Sequence, residues 1–175
     1  MKKIVLGLAV LLSGFSLTSC EPWEDDSNNP DTTPAEEITL EGTWKLTALN
    51  LEEAYDFNGD GTSSTSLMSE TNCYQNELME FMTDYTGIAT SNSYANVSID
   101  GETFSVECIE EVEETTFVWN QTGNSVTLNV GGANIVATKT DNKLTYVIPE
   151  GFYASDMGEG GVEILQDITF VYTKQ

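Results

Sequence analysis

The sequence predicts an all-β domain, an antiparallel up-and-down barrel of about eight strands. Three observations predict it. From residue 42 onward, apolar and polar residues alternate in short runs. Pairs bearing glycine or asparagine separate many of those runs. No stretch of the region holds a 3.6-residue apolar period over three turns. Period-two alternation with one apolar face marks half-buried antiparallel strands. A meander this long exposes two edges unless it closes on itself, which favours a barrel. A two-sheet sandwich of the same strands is the alternative.

The elements follow in order. Thr43–Leu49 puts Trp44, Leu46 and Ala48 on one face. Residues 51–76 read as a long excursion with a short helix near Ser66–Thr71. Leu78–Thr83 is strongly apolar, with Met79 and Phe81 in phase. Phe104, Val106 and Cys108 share a face, as do Phe117 and Trp119. Val126, Leu128 and Val130 form the next set, then Leu144, Tyr146 and Ile148, then Ile168, Phe170 and Tyr172. The separators Thr122-Gly123-Asn124, Gly131-Gly132 and Asp141-Asn142 each permit a tight turn. Residues 151–164 are a second excursion. Glu107, Glu110, Glu111, Glu113 and Glu114 are expected to lie in a solvated hairpin turn.

A different organisation precedes the domain. Lys2 and Lys3 lead an apolar run from Ile4 to Leu12, and Leu17-Thr18-Ser19-Cys20 closes the segment. This resembles the signal peptide and lipobox of bacterial lipoprotein precursors. The resemblance implies removal of residues 1–19 and a diacylglyceryl thioether on Cys20. The run is broken by Ser13, Gly14 and Ser16 and is too short for a ~30 Å hydrocarbon core. Residues 20–37 carry prolines, acids, Asn, Ser and Thr, the composition of a solvated tether. Its Glu24-Asp25-Asp26 group resembles an export signal of Bacteroidetes lipoproteins. Outer-membrane anchoring is therefore expected, with the domain facing the periplasm or the cell surface. The barrel domain itself is read as residues 38–175.

Charge narrows the function classes. The chain has 29 acidic residues, six lysines, no arginine and no histidine, for a net charge of −23. Such a polyanion repels phosphate backbones, so no nucleic-acid partner is expected. Without histidine, Ser-His and Cys-His nucleophile pairs and histidine zinc sites are excluded. Paired carboxylates remain, but so many acids produce pairs by chance. We expect no enzyme, and a monomer. Cys20 being used by lipid, Cys73 and Cys108 are left in an oxidising compartment, where a disulfide is the default. Two buried free thiols are the alternative.

Asp56-x-Asn58-x-Asp60-Gly61-Thr62 is the sharpest chemical motif. Side-chain oxygens fall at positions 1, 3 and 5 of a calcium loop, glycine at 6, a carbonyl at 7 and Ser64 at 9. Alternate ligands point into one cavity while the chain curls round the ion. Leu67 stands where an EF-hand has its bidentate glutamate, so this is not an EF-hand. The missing carboxylate would come from Glu70 downstream or Glu53 upstream. Calcium is the expected cofactor.

Three elements in order carry a further resemblance. They are Leu40-Glu41-Gly42-Thr43-Trp44, then Asp56-Phe57-Asn58-Gly59-Asp60-Gly61, then Glu70-Thr71-Asn72-Cys73. Together they resemble the lipocalin-like lipoproteins of Bacteroidetes, across roughly residues 38–175. The resemblance implies a Trp44 that caps the closed end of the barrel. Lipocalins stack an arginine of the last strand on that tryptophan; here only Lys174 stands near the end. A barrel of this size either holds one small ligand or is filled by its own side chains. Trp44, Met79, Phe81, Phe104, Phe117, Trp119, Leu128 and Tyr146 are the candidate wall residues. The expected function is binding, of a small apolar ligand or of a cell-surface glycan or protein. The alternative is an accessory cell-envelope protein with a filled barrel and no ligand.

Overall fold

The computed structural model describes residues 39–100, 103–155 and 163–175. The signal segment, Cys20 and the tether lie outside the described residues. The first strand, β1 (Gly42–Tyr55), is followed by a short β2 (Ser64–Ser66) and a one-turn helix α1 (Leu67–Glu70). Then come β3 (Leu78–Phe81), β4 (Thr86–Ser91), β5 (Tyr94–Asp100) and β6 (Thr103–Ile109). The chain finishes with β7 (Glu113–Thr122), β8 (Ser125–Val130), β9 (Ala133–Thr140), β10 (Lys143–Ser155) and β11 (Glu163–Lys174).

Eight of these strands close into an antiparallel barrel in the order β1, β3, β4, β7, β8, β9, β10, β11, with β2 added beside β1. Closure is made by β1 on β11, from Trp44 opposite Lys174 to Leu51 opposite Ile168. That pairing removes both sheet edges and rules out the sandwich. The expected up-and-down barrel is thus the fold, and the three turn signals join consecutive strands β7 to β10.

The closed end is packed first by aromatics. Trp44, Phe81, Phe117 and Trp119 are all buried. The Phe81 ring meets Trp44, Phe117 and Trp119 edge-on, with centroids 6.3, 5.2 and 5.8 Å apart. Such tilted contacts suit rings with negative faces and positive edges. Gly87 on β4 makes room for them: a Cβ there would overlap the Phe117 ring and the Glu80 carbonyl. Val126, Leu128, Leu144 and Tyr172 continue the buried inner face.

Four expectations are corrected. First, Ala48 is not in phase with Trp44 and Leu46. A bulge at Thr47 shifts the register, so Leu49 and Leu51 become the next buried residues. The Thr47 hydroxyl stabilises it by hydrogen bonding to the Thr173 hydroxyl (2.7 Å) and the Val171 carbonyl (3.2 Å). Second, Phe104 does not line the barrel. It lies on β6, which pairs only with β5 among the described residues, as a hairpin inserted between β4 and β7. Third, the acidic cluster does not turn a hairpin. β6 and β7 belong to different sheets, and residues 110–112 carry the chain back to the barrel, where Glu113 pairs with Ser91. Fourth, β1 runs on to Tyr55 and β10 to Ser155, so both excursions are shorter than read. The short helix falls where expected.

Candidate functional site: the barrel mouth and the acidic loop

Burial along the inner face is uneven. Near Trp44 the inward residues are sealed. Further along, Ala89, Val130, Ile135, Tyr146, Ile148 and Phe170 are half-buried, whereas Leu51, Phe152, Ala154, Ile164 and Ile168 on β1, β10 and β11 are buried again. Register fixes their direction. Ala89 opposes Met79, Ile135 opposes Leu128, and Phe170 opposes both Tyr146 and Leu49. These side chains are the half-buried apolar rim of the inner face. It is widened on one side, because β9 and β10 pair only from Lys143 opposite Thr140 to Thr145 opposite Thr138.

The rim has a polar centre. Tyr146 stacks on Phe170 (4.9 Å, 11°) and on Tyr172 (6.1 Å, 15°). Burial pushes the Tyr146 phenol up to about 12, against a hydrogen bond with Tyr172 that lowers it. Burial raises the Tyr172 phenol further, helped by Tyr146 and by the carboxylate of Glu77. Both phenols therefore stay neutral at physiological pH. Glu77 is itself buried, and its Oε1 accepts the amides of Asn92 (3.0 Å) and Ser93 (3.3 Å). It thereby anchors the link from β4 to the inserted hairpin. Tyr74 contributes again: its hydroxyl accepts the Ala95 amide at 3.1 Å. Burial raises its phenol as well.

The hairpin is held at the mouth end by two further devices. Cys73 and Cys108 form a disulfide, with Cα atoms 5.5 Å apart. An aromatic cluster does the rest. Phe104 meets Phe57 at 4.9 Å and Tyr55 at 5.7 Å, and Phe57 meets Phe152 at 5.7 Å. This is where the structure places Phe104 among the expected wall residues. Trp44, Phe81, Phe117 and Trp119 sit at the closed end, Met79 and Leu128 are buried opposite Ala89 and Ile135, and Tyr146 is half-buried beside Phe170.

The Asp56–Thr62 loop is a nest of Asx turns. Asp56 accepts the amides of Asp60 (3.1 Å) and Gly61 (2.8 Å) through its two oxygens. Asn58 Oδ1 accepts the Asp60 amide at 2.9 Å, and Asp60 Oδ1 accepts the Thr62 amide at 2.8 Å. Gly61 takes φ 86°, which its position in the turn requires. Only one of the two outside carboxylates turns toward the loop. Glu70, 6% exposed, turns into the loop and accepts the amides of Phe57 (3.0 Å) and Asn58 (3.4 Å). Glu53 turns away: its Oε2 accepts the Tyr55 hydroxyl and the Gln166 amide, and its own amide is held by Gln166 Oε1. Ser64 also turns away, accepting from the Ser66 amide and the Ser69 hydroxyl beside the helix. Among the described residues no group of three or more acids or cysteines is gathered to hold a metal ion.

Two hollows accompany these sites. One of about 450 Å³ opens beside the loop and is lined by Tyr55, Asp56, Gly59, Ser63 and Phe104, among others. Another, of about 460 Å³, lies over β4, β7 and β8 around Met82, Ile88 and Val118. Both exceed the ~300 Å³ that small ligands need, and both lie outside the lumen.

Sequence reasoning missed Glu77 and Gln166 as buried polar anchors. Parity was the available signal for Glu77, which is in phase with Met79 and Phe81. Gln166 is likewise in phase with Ile164 and Ile168. Comparisons of the chain with protein-family models, with curated proteins and with solved structures find no match.

Proposed function

We propose that this chain is a lipid-anchored binding module of the outer membrane, lipocalin-like in design, with Cys20 as the anchor. Its ligand is small and apolar and enters at the barrel mouth. One set of side chains carries this reading: Ala89, Val130, Ile135, Tyr146, Ile148 and Phe170 are apolar and stay half-buried beside the sealed Trp44 end. Stacked Tyr146 and Phe170 offer a flat face, and the neutral phenols offer hydrogen bonds. A cell-surface glycan or protein is the alternative ligand on the same rim. The packed closed half supports the second reading, an accessory protein with a filled barrel and no ligand.

A fluorescent apolar probe separates the two. It should bind the wild-type protein, and Val130→Trp, which fills the rim, should weaken binding at least about tenfold. Absence of probe binding, or binding indifferent to Val130→Trp, would favour the filled barrel.

We further propose that the Asp56 loop binds calcium weakly. Asp56, Asn58 and Asp60 direct their oxygens into one turn, as ligands at positions 1, 3 and 5 do. The Thr62 carbonyl would be the fourth protein ligand, and Glu70 holds the loop's first amides from behind. With no bidentate carboxylate, affinity belongs in the range of about 10⁻⁴–10⁻³ M seen in extracellular modules. Saturation to a hundredfold excess over the dissociation constant adds about 2.7 kcal/mol. EDTA should therefore lower the melting temperature by about 5–10 °C, with calcium restoring it. Asp60→Ala should abolish the response and Glu111→Gln should leave it. A melting temperature indifferent to EDTA and calcium would leave the loop as an Asx nest alone.

A further inference from the structure

The hollow of about 450 Å³ beside the acidic loop contains a corner of two aromatic rings. Tyr55 and Phe104 both line it, with centroids 5.7 Å apart and planes at 76°. Both are half-buried, so each keeps part of its ring toward solvent. Buried Phe57 backs the corner, stacked on Tyr55 at 5.4 Å and edge-on to Phe104 at 4.9 Å. The Cys73–Cys108 bond ties down β6, the strand that carries Phe104. The Tyr55 hydroxyl is already satisfied: it donates to Glu53 Oε2 (3.0 Å) and accepts from Gln166 Nε2 (2.8 Å). What Tyr55 offers a ligand is its ring. Asp56 supplies the carboxylate of the lining. Its two oxygens accept the Asp60 and Gly61 amides. A carboxylate has about four lone-pair sites, so about half stay available. Apart from Tyr55, the side-chain donors of the lining are the hydroxyls of Ser63 and Thr103.

The charge around this hollow has one sign. Lys45 lies near the start of β1, Lys139 near the end of β9, Lys143 opens β10 and Lys174 closes β11, all toward the Trp44 end. There they are mixed with Glu41, Glu80, Asp84 and Asp141. Tyr55 closes β1 at the other end, a rise of about 30 Å beyond Lys45. The screening length at physiological salt is only about 8 Å. Among the described residues, the charged neighbours of the hollow in β1 and the loop are therefore acids, Glu53, Asp56 and Asp60. An anion is repelled here, and a polyhydroxyl ligand finds few donors. A positive group with an apolar coat meets a negative field and two ring faces, whose quadrupoles attract cations.

We propose that this hollow is a binding site for a small organic cation of the alkylammonium class. The methyl or methylene groups of the ligand fill the Tyr55–Phe104 corner, and its charge faces Asp56. The site lies outside the lumen, on the far side of Phe57 from the barrel core, and is independent of the lipid anchor and of the apolar ligand at the rim. It shares Asp56 with the calcium loop, so metal is removed before the cation is measured.

The test titrates the full-length protein, kept metal-free with EDTA, with choline and with dimethylbutanol, its neutral carbon isostere. Affinities are read by nuclear magnetic resonance from the ligand signals. Choline should bind at least about tenfold more tightly than the isostere. Phe104→Leu keeps an apolar side chain but removes one ring face. It should weaken choline about fivefold and leave the isostere unchanged. Asp56→Asn should weaken choline by a similar factor, whereas Glu111→Gln, an acid outside the hollow, should leave it unchanged. Equal affinities for choline and dimethylbutanol overturn the proposal. Choline binding indifferent to both Phe104→Leu and Asp56→Asn also overturns it, and reduces the effect to attraction by the net charge of −23. Should Phe104→Leu fail to fold, the contrast between Asp56→Asn and Glu111→Gln decides: equal affinities in those two variants overturn the proposal.

Discussion

Removing the disulfide, as Cys73→Ala with Cys108→Ala, should lower stability by about 4 kcal/mol. The bond spans 35 positions of sequence, and chain entropy for a loop of that size gives a value of this order. In a domain of this length the melting temperature should fall by about 10 °C. The topology adds a sharper expectation. Among the described residues the β5–β6 hairpin has no hydrogen-bonded ladder to the barrel; the disulfide, Glu77, Tyr74, the Phe57–Phe104 cluster and Ile99, buried in the core, hold it. Amide exchange in Tyr94–Asp100 and Thr103–Ile109 should accelerate first, while the ten paired positions of β10 and β11 keep their protection. Urea titrations with and without reductant measure the first effect, and hydrogen exchange the second. An unchanged midpoint would mean that the cluster alone secures the hairpin.

Trp44→Ala should cost about 3–5 kcal/mol, the range for truncating a large buried aromatic. Trp44 is 0% exposed, abuts Phe81, and its indole nitrogen donates to the Leu40 carbonyl at 2.7 Å. Two controls divide the loss. Trp44→Phe keeps most of the ring volume but leaves the Leu40 carbonyl without its donor, which should cost about 1–3 kcal/mol. Lys174→Met removes the cation over the ring at a half-exposed position, and should cost no more than about 1 kcal/mol. Chemical denaturation of the three variants gives the order. A Lys174→Met loss as large as that of Trp44→Ala would show that the cation, not ring packing, seals the closed end.

Much of the scaffold was legible because its signals are local. Each barrel strand needs one apolar face, so parity alone found Phe117 with Trp119, Val126 with Leu128, and Ile168 with Tyr172. Tight turns need few residues, so Gly131-Gly132 and Asp141-Asn142 could be read in place. The disulfide followed from counting thiols. The site was less legible. Of the expected wall residues within the barrel only Tyr146 stays half-buried, because depth along a barrel is not encoded in parity. Phe104 has the right parity and the wrong sheet.

The sequence by itself determined most strand faces, the turns, the short helix, the expectation of a disulfide between the two domain cysteines and the acidic loop. All of these depend on residues within a few positions of one another or on composition. Only the tertiary structure decided what joins distant segments. It set β1 against β11, placed a bulge at Thr47, and lifted β5 and β6 out of the barrel. It sent Glu70 to the loop and Glu53 to Gln166. It also brought Lys45, Lys139, Lys143 and Lys174 to the Trp44 end of the barrel. The physical reason is register: shifting a strand by one residue leaves its local pattern intact but exchanges every side chain between lumen and solvent. Which shift prevails is settled by contacts between residues more than a hundred positions apart, as in the hydrogen bond joining Thr47 to Thr173.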